Sequence, residues 1–132
     1  GKQITQFSKP VITVPEILRK RENKLAQQIE TPGGVISIEL YDNGEIDGDT
    51  VSIYLNNERI IHRAALSAYP IVFQLKINEE EPLQELIMVA ENLGNIPPNT
   101  SLMIVKENGR RHEVFISSSE QKNAKVIIMR KQ

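Results

Sequence analysis

Four carboxylates, Asp42, Glu45, Asp47 and Asp49, fall within eight residues, with Asn43 among them and Gly44 and Gly48 as punctuation. Hard cations such as calcium take six to eight oxygens from carboxylates, amides and carbonyls, and a loop of this kind supplies them. The spacing departs from the EF-hand pattern, which needs alternating Asp/Asn positions before a Gly and a Glu at the twelfth. The simpler reading is a pair of Asx turns, with the glycines at positive φ and the acids bonding nearby amides. No metal is therefore expected, and Asp42, Asp47 and Asp49 are the residues that would hold calcium if one bound. A second polar stretch runs from Glu91 to Thr100, with Asn92, Asn95 and Asn99 around Pro97-Pro98. It reads as a rigid crossover whose amide side chains satisfy its own backbone, or as a loop that contacts a ligand. Carboxylates such as Asp47 and Glu91 could also form the acid-base pair of a small hydrolase.

Other chemistry is sparse. His62 and His112 sit within strand patterns without a partner at ligand spacing, which reads as solvent-facing or hydrogen-bonded histidine. Ser117-Ser118-Ser119 lacks a Gly-x-Ser-x-Gly elbow and reads as a capped turn. The chain has no cysteine, which removes disulfides, thiolate zinc sites and cysteine nucleophiles. No cofactor is expected. Arg19-Lys20-Arg21 is flanked by Glu16 and Glu22, and Glu79-Glu80-Glu81 precedes Pro82, so both charge runs read as solvated faces.

The elements that must position these residues are short strands. With 132 residues, 39% hydrophobic and 25% charged, the chain is long enough for a core of its own. A net charge of -1 removes the electrostatic footprint of a nucleic-acid binder. No apolar run approaches the roughly 18 residues of a transmembrane helix. Gly1 in place of an initiator Met reads as a trimmed start. Residues 1–14 read as an extended arm, and 15–132 as a single domain. Pro15 and Glu16 suit a helix start, so a short helix over 15–23 is expected, followed by a strand from Leu25. From Val35 onward apolar residues recur at every second position, as in Ile36, Ile38 and Leu40. Asn56-Asn57 and Asn108-Gly109 mark two-residue hairpins, because their residues tolerate positive φ. The expected fold is all-β, an antiparallel sandwich of about eight strands with a short N-terminal helix or arm. Its core is expected to contain Ile36, Ile38, Leu40, Val51, Ile53, Leu55, Phe73, Leu75, Leu86, Met88, Ile104, Val114, Ile116 and Ile127.

Four segments carry a resemblance: Glu22–Leu25, Tyr41–Asn56 (YDNGEIDGDTVSIYLN), Val89–Met103 (VAENLGNIPPNTSLM) and Ser117–Ala124. In that order they resemble a family of small bacterial β-sandwich domains of unknown function, found mostly in exported or cell-envelope proteins. The resemblance spans roughly residues 16–130. It implies a β-sandwich and a secreted, periplasmic or envelope location, and it brings no activity with it.

Strand direction fixes where a site would lie. If each strand reverses the one before, the connections alternate between the two poles of the sandwich. The Asp42–Asp49, Leu66–Pro70, Glu91–Thr100 and Ser117–Lys122 connections then share one pole, and the tight hairpins occupy the other. Binding residues concentrate on loops held by a rigid scaffold. The expected contact set at this pole is Asp42, Asp47, Asp49, Glu91, Asn92, Asn99 and Glu120. The function this implies is a non-catalytic binding or accessory module that meets an unknown protein or small ligand there. The alternatives are the carboxylate hydrolase and a structural envelope protein that associates through sheet edges.

Overall fold

The computed structural model describes residues 13–43, 49–92 and 99–132. Most of the N-terminal arm, Asp47, and the centre of the second polar stretch (93–98) lie outside the described residues, as does the side chain of Asn92.

Among the described residues one short helix, α1 (Glu16–Lys20), precedes nine strands. These are β1 (Glu22–Thr31), β2 (Gly34–Asp42), β3 (Thr50–Leu55), β4 (Glu58–Ala65), β5 (Ile71–Ile77), β6 (Leu83–Asn92), β7 (Asn99–Glu107), β8 (Arg110–Ser118) and β9 (Lys122–Arg130). They form a five-stranded sheet in the order β1-β9-β6-β3-β4 and a four-stranded sheet in the order β5-β2-β7-β8. The fold is an all-β sandwich. It departs from a purely antiparallel one at β1, which runs parallel to β9. The helix is also shorter than its sequence signals, since Arg21 is already extended and Glu22 opens the β1 ladder on Lys122. Pairing along the whole of β9 outweighs the weak helical preference of this stretch.

Alternation decides what is buried. Ile36, Ile38 and Leu40 of β2 face Val51 and Ile53 of β3, Leu86 and Met88 of β6, and Val126 and Ile128 of β9 in one continuous core. Burying each of these side chains stabilises the fold by about 1.5–3 kcal/mol. Leu55 and Phe73 are half-buried against the same core. Two expected core residues face the other way. In β7 the inward positions are Met103 and Val105, and in β9 they are Val126 and Ile128. Ile104 is buried on the outer face of the four-stranded sheet, and Ile127 is half-buried on that of the other. A continuous apolar run carries no parity, so sequence could not choose between alternate residues there.

The five-stranded sheet has a second, smaller apolar face. Tyr54, Ile87 and Val89 point away from the core and are covered by Leu18 and Ile17 of α1. That explains the uninterrupted apolar run of β6, which lies at the centre of this sheet and is buried on both sides. The helix is pinned to the neighbouring strands by amides. Asn23 Nδ2 donates to Leu18 O at 2.7 Å, and Asn123 Nδ2 donates to Ile17 O at 3.2 Å.

The tight turns occupy one pole. Asn56 and Asn57 have φ of 49° and 70°, and Asn108 and Gly109 have 49° and 78°, as a type I′ hairpin requires at both central positions. Gly109 has open space where a Cβ would stand, so the conformation and not crowding demands glycine. We expect Gly109→Val to lower stability by about 1–3 kcal/mol through a β-branched residue at positive φ. Gly109→Asn should cost much less, and thermal melts of the two variants check the ordering.

Candidate functional site at the loop pole

The strand ends that flank the polar connections meet at the opposite pole. Thr50, the first residue of β3, pairs with Asn92 at the end of β6 and with Ala65 at the end of β4. Asp42 at the end of β2 pairs with Ser101 of β7, and Asn99 pairs with Ser118 at the end of β8. The chain crosses between sheets several times and is not a simple meander, yet the connections still alternate between the poles as expected.

Backbone groups lock this end together. Asp42 N donates to Ser67 O at 2.9 Å, and Leu66 N donates to Asp49 O at 2.9 Å, so the β4–β5 connection bridges both ends of the acidic stretch. Thr100 Oγ1 donates to Asn43 O, and Asn99 Nδ2 donates to Thr50 O, each at 3.4 Å. Arg21, just past α1, places Nη1 between two carbonyls, Ala90 O at 2.9 Å and Ser119 O at 3.1 Å. One guanidinium therefore ties the α1–β1 junction to the ends of β6 and β8. The serine run is only in part the capped turn expected of it: Ser117 and Ser118 belong to β8 and pair with β7, so Ser119 alone caps the β8–β9 turn. Ser119 Oγ accepts from Gln121 N and Lys122 N, both at 3.2 Å.

The expected contact residues separate into three groups. Asp42, Asp49 and Asn99 point inward: Asp49 is 2% exposed, Asn99 fully buried, and both Asp42 carboxylate oxygens are shielded from solvent. They close the inter-sheet space beyond Leu40 and Val51 with polar atoms. Glu91 is not with them. Its Oε2 accepts from Ser52 Oγ at 2.6 Å, on the outer face of the five-stranded sheet that carries Tyr54 and Val89. Glu120 is exposed in the β8–β9 turn. Asp47 and the side chain of Asn92 lie outside the described residues.

The Ser52–Glu91 contact has a local purpose. Val51 pairs with Ala64 and Ile53 with Ile61, so His62 and Arg63 together stand opposite Ser52 alone. This is a β-bulge, and Arg63 takes φ 47° to make it. Arg63 N donates to Ser52 Oγ at 3.0 Å, and Ser52 passes its own proton toward Glu91. A serine held this way anchors backbone. Among the described residues no three His, Cys, Asp or Glu side chains converge on one point.

The other pole holds a polar cluster that sequence reading did not single out. The Glu107 side chain is fully buried and accepts from Thr31 Oγ1 at 2.9 Å and Asn108 Nδ2 at 3.2 Å, with His112 Nε2 at 2.8 Å. Asn108 also donates to Gly33 O at 3.1 Å, joining the β7–β8 hairpin to the β1–β2 turn. Parity gave the clue: Met103 and Val105 point inward, so Glu107 must as well. Burial alone would raise the Glu107 pKa, but the hydrogen bonds from His112, Asn108 and Thr31 outweigh it and hold the carboxyl below its ordinary range.

A carboxyl whose pKa is lower folded than unfolded contributes stability above its unfolded pKa, and that stability is lost as pH falls through the folded value. Glu107→Gln should therefore cost about 2–3 kcal/mol near neutral pH, and much less once the medium is acidic enough to protonate Glu107 in the native state. Urea titrations of both proteins across that range test this, and a pH-independent difference would contradict it. At the loop pole, millimolar calcium should leave the melting temperature unchanged. A rise that disappears in the Asp47→Asn/Asp49→Asn double variant would reveal a calcium site, since a ligand of the folded state stabilises by mass action. No protein-family model, curated protein or solved structure matches the chain, so what this pole does has to be argued from its own residues.

Proposed function

We propose that the chain is a non-catalytic binding or accessory module of an exported protein, presenting its loop pole to a protein or small ligand. The observation that carries this reading is that the strand ends flanking four connections meet at one end of a rigid sandwich, braced by Arg21 and the β4–β5 connection. Fixed backbone under solvent-facing polar side chains is what a preorganised contact surface requires. Glu120, Asp47 and Asn92 are the contact residues in this reading, and Asp42, Asp49 and Asn99 close the end of the sandwich. Export rests on the four resembling segments alone. The hydrolase alternative draws less support, because Glu91 is engaged by Ser52, and its expected partner Asp47 lies outside the described residues.

Residues kept for contact can be removed without harming the fold, whereas residues kept to close the sandwich cannot. Asp47→Ala and Asn92→Ala should each leave stability within about 0.5 kcal/mol of the parent. A loss of about 1 kcal/mol or more in either would assign it to end closure. Turnover of chromogenic esters or glycosides that is abolished by Glu91→Gln would replace the binding reading with the hydrolytic one.

A further inference from the structure

The outer faces of the two sheets are finished differently. α1 covers the apolar residues on the five-stranded sheet. On the four-stranded sheet, Tyr41, Leu102 and Phe115 stand directly opposite one another across β2, β7 and β8. Their neighbours Leu40, Met103 and Val114 are in the core, so alternation sends all three outward. The row spans two strand spacings, about 10 Å. No helix of the described residues lies over it, and Phe115 is 65% exposed.

At its Phe115 end the row opens on a groove of about 400 Å³ between the free edges of β8 and β1, lined also by Ser117, Lys24, Leu25 and Lys122. That volume lies within the range of small-molecule sites, roughly 300–1,000 Å³. Beside the row, charges neutralise one another. Glu39 accepts from Lys106 at 2.9 Å and from the Tyr41 hydroxyl at 2.8 Å, and Arg111 meets Glu113 at 3.0 Å. The groove differs, because among the described residues its lining holds two lysines and no carboxylate. Lys122 reaches Glu22 at 3.8 Å, and Lys24 has no ion pair among the described residues. The uncompensated charge is positive and sits next to an aromatic face.

An added β-strand is a poor fit to this place. β1 carries a bulge at Ala26 and a lysine beside it, two devices that spoil an edge for strand pairing. A saturated ring rich in hydroxyls fits better. Its C–H face packs on the electron-rich face of an aromatic ring, and its hydroxyls exchange hydrogen bonds with Ser117 and the lysines. We infer that the Tyr41–Leu102–Phe115 row and its adjoining groove bind an anionic oligosaccharide, with pyranose faces on the row and a carboxylate against Lys24. The inference rests on the binding-module reading and places a contact on the sheet face adjoining the loop pole.

Affinity electrophoresis of the intact chain tests it, with native gels containing polygalacturonate, neutral dextran or poly-glutamate. Polygalacturonate should retard the chain, and the other two should not. Phe115→Ala and Lys24→Gln should each weaken that retardation about five-fold, with Phe115→Tyr retaining it and the Phe115→Ala melting temperature unchanged. Absence of retardation by polygalacturonate overturns the proposal. So does equal retardation by poly-glutamate, which would indicate an acidic peptide or charge alone, or full affinity in Phe115→Ala. These failures leave the loop-pole reading standing, whereas new reducing ends released from the polysaccharide would overturn the binding-module reading itself.

Discussion

A sandwich of two sheets is an apolar slab with two open ends, and closing those ends without orphaning buried backbone is the constraint on which this structure depends. The two ends are closed in different ways. At one, two-residue turns reverse the chain within the β3–β4 and β7–β8 ladders, and Glu107 ties the β7–β8 hairpin to the β1–β2 crossing between sheets through Thr31, Asn108 and His112. At the other, all four connections cross between sheets, so no hairpin ladder can satisfy them. Arg21, Asn99 and the β4–β5 backbone take over that role.

Covering the sheets adds a second asymmetry. The central strand β6 is apolar on both faces, which obliges something to lie over the five-stranded sheet, and α1 does so with Leu18 and Ile17. The four-stranded sheet pairs off its outward charges, between strands in Lys106–Glu39 and along β8 in Arg111–Glu113. Such exposed pairs add little stability individually, roughly 0–1 kcal/mol each. Their arrangement matters more, since both pairs lie on the hairpin-pole side of the apolar row and leave it undisturbed.

Much of this fold was legible in the sequence. Period-two alternation located β2, β3 and β5, and the Asn-Asn and Asn-Gly pairs located their turns, because both signals are local and steric. Pole assignment followed from strand reversal alone. Ile104 and Ile127 were misassigned because a run of apolar residues has no parity of its own, and their orientation is set by ladder partners distant in sequence. The parallel course of β1 was hidden for the same reason, since its partner lies a hundred residues away at Lys122–Arg130. Of the expected contact residues, the inward set of Asp42, Asp49 and Asn99 was identified by type but not by direction. Arg21 reads in sequence as part of a solvated face and Ser52 carries no signal, because their partners are main-chain atoms or a residue on another strand.

The parallel seam between β1 and β9 gives the chain a mechanical character. β1 begins at the loop pole and β9 ends at the hairpin pole, with nine pairs of facing residues between them. Tension applied between Glu22 and Arg130 would pull these strands past each other along their length. The load would fall on the rungs of the seam together, as shear, and not on one rung at a time as in the peeling of a hairpin. The sheet would thus be set to bear force along the direction of the chain.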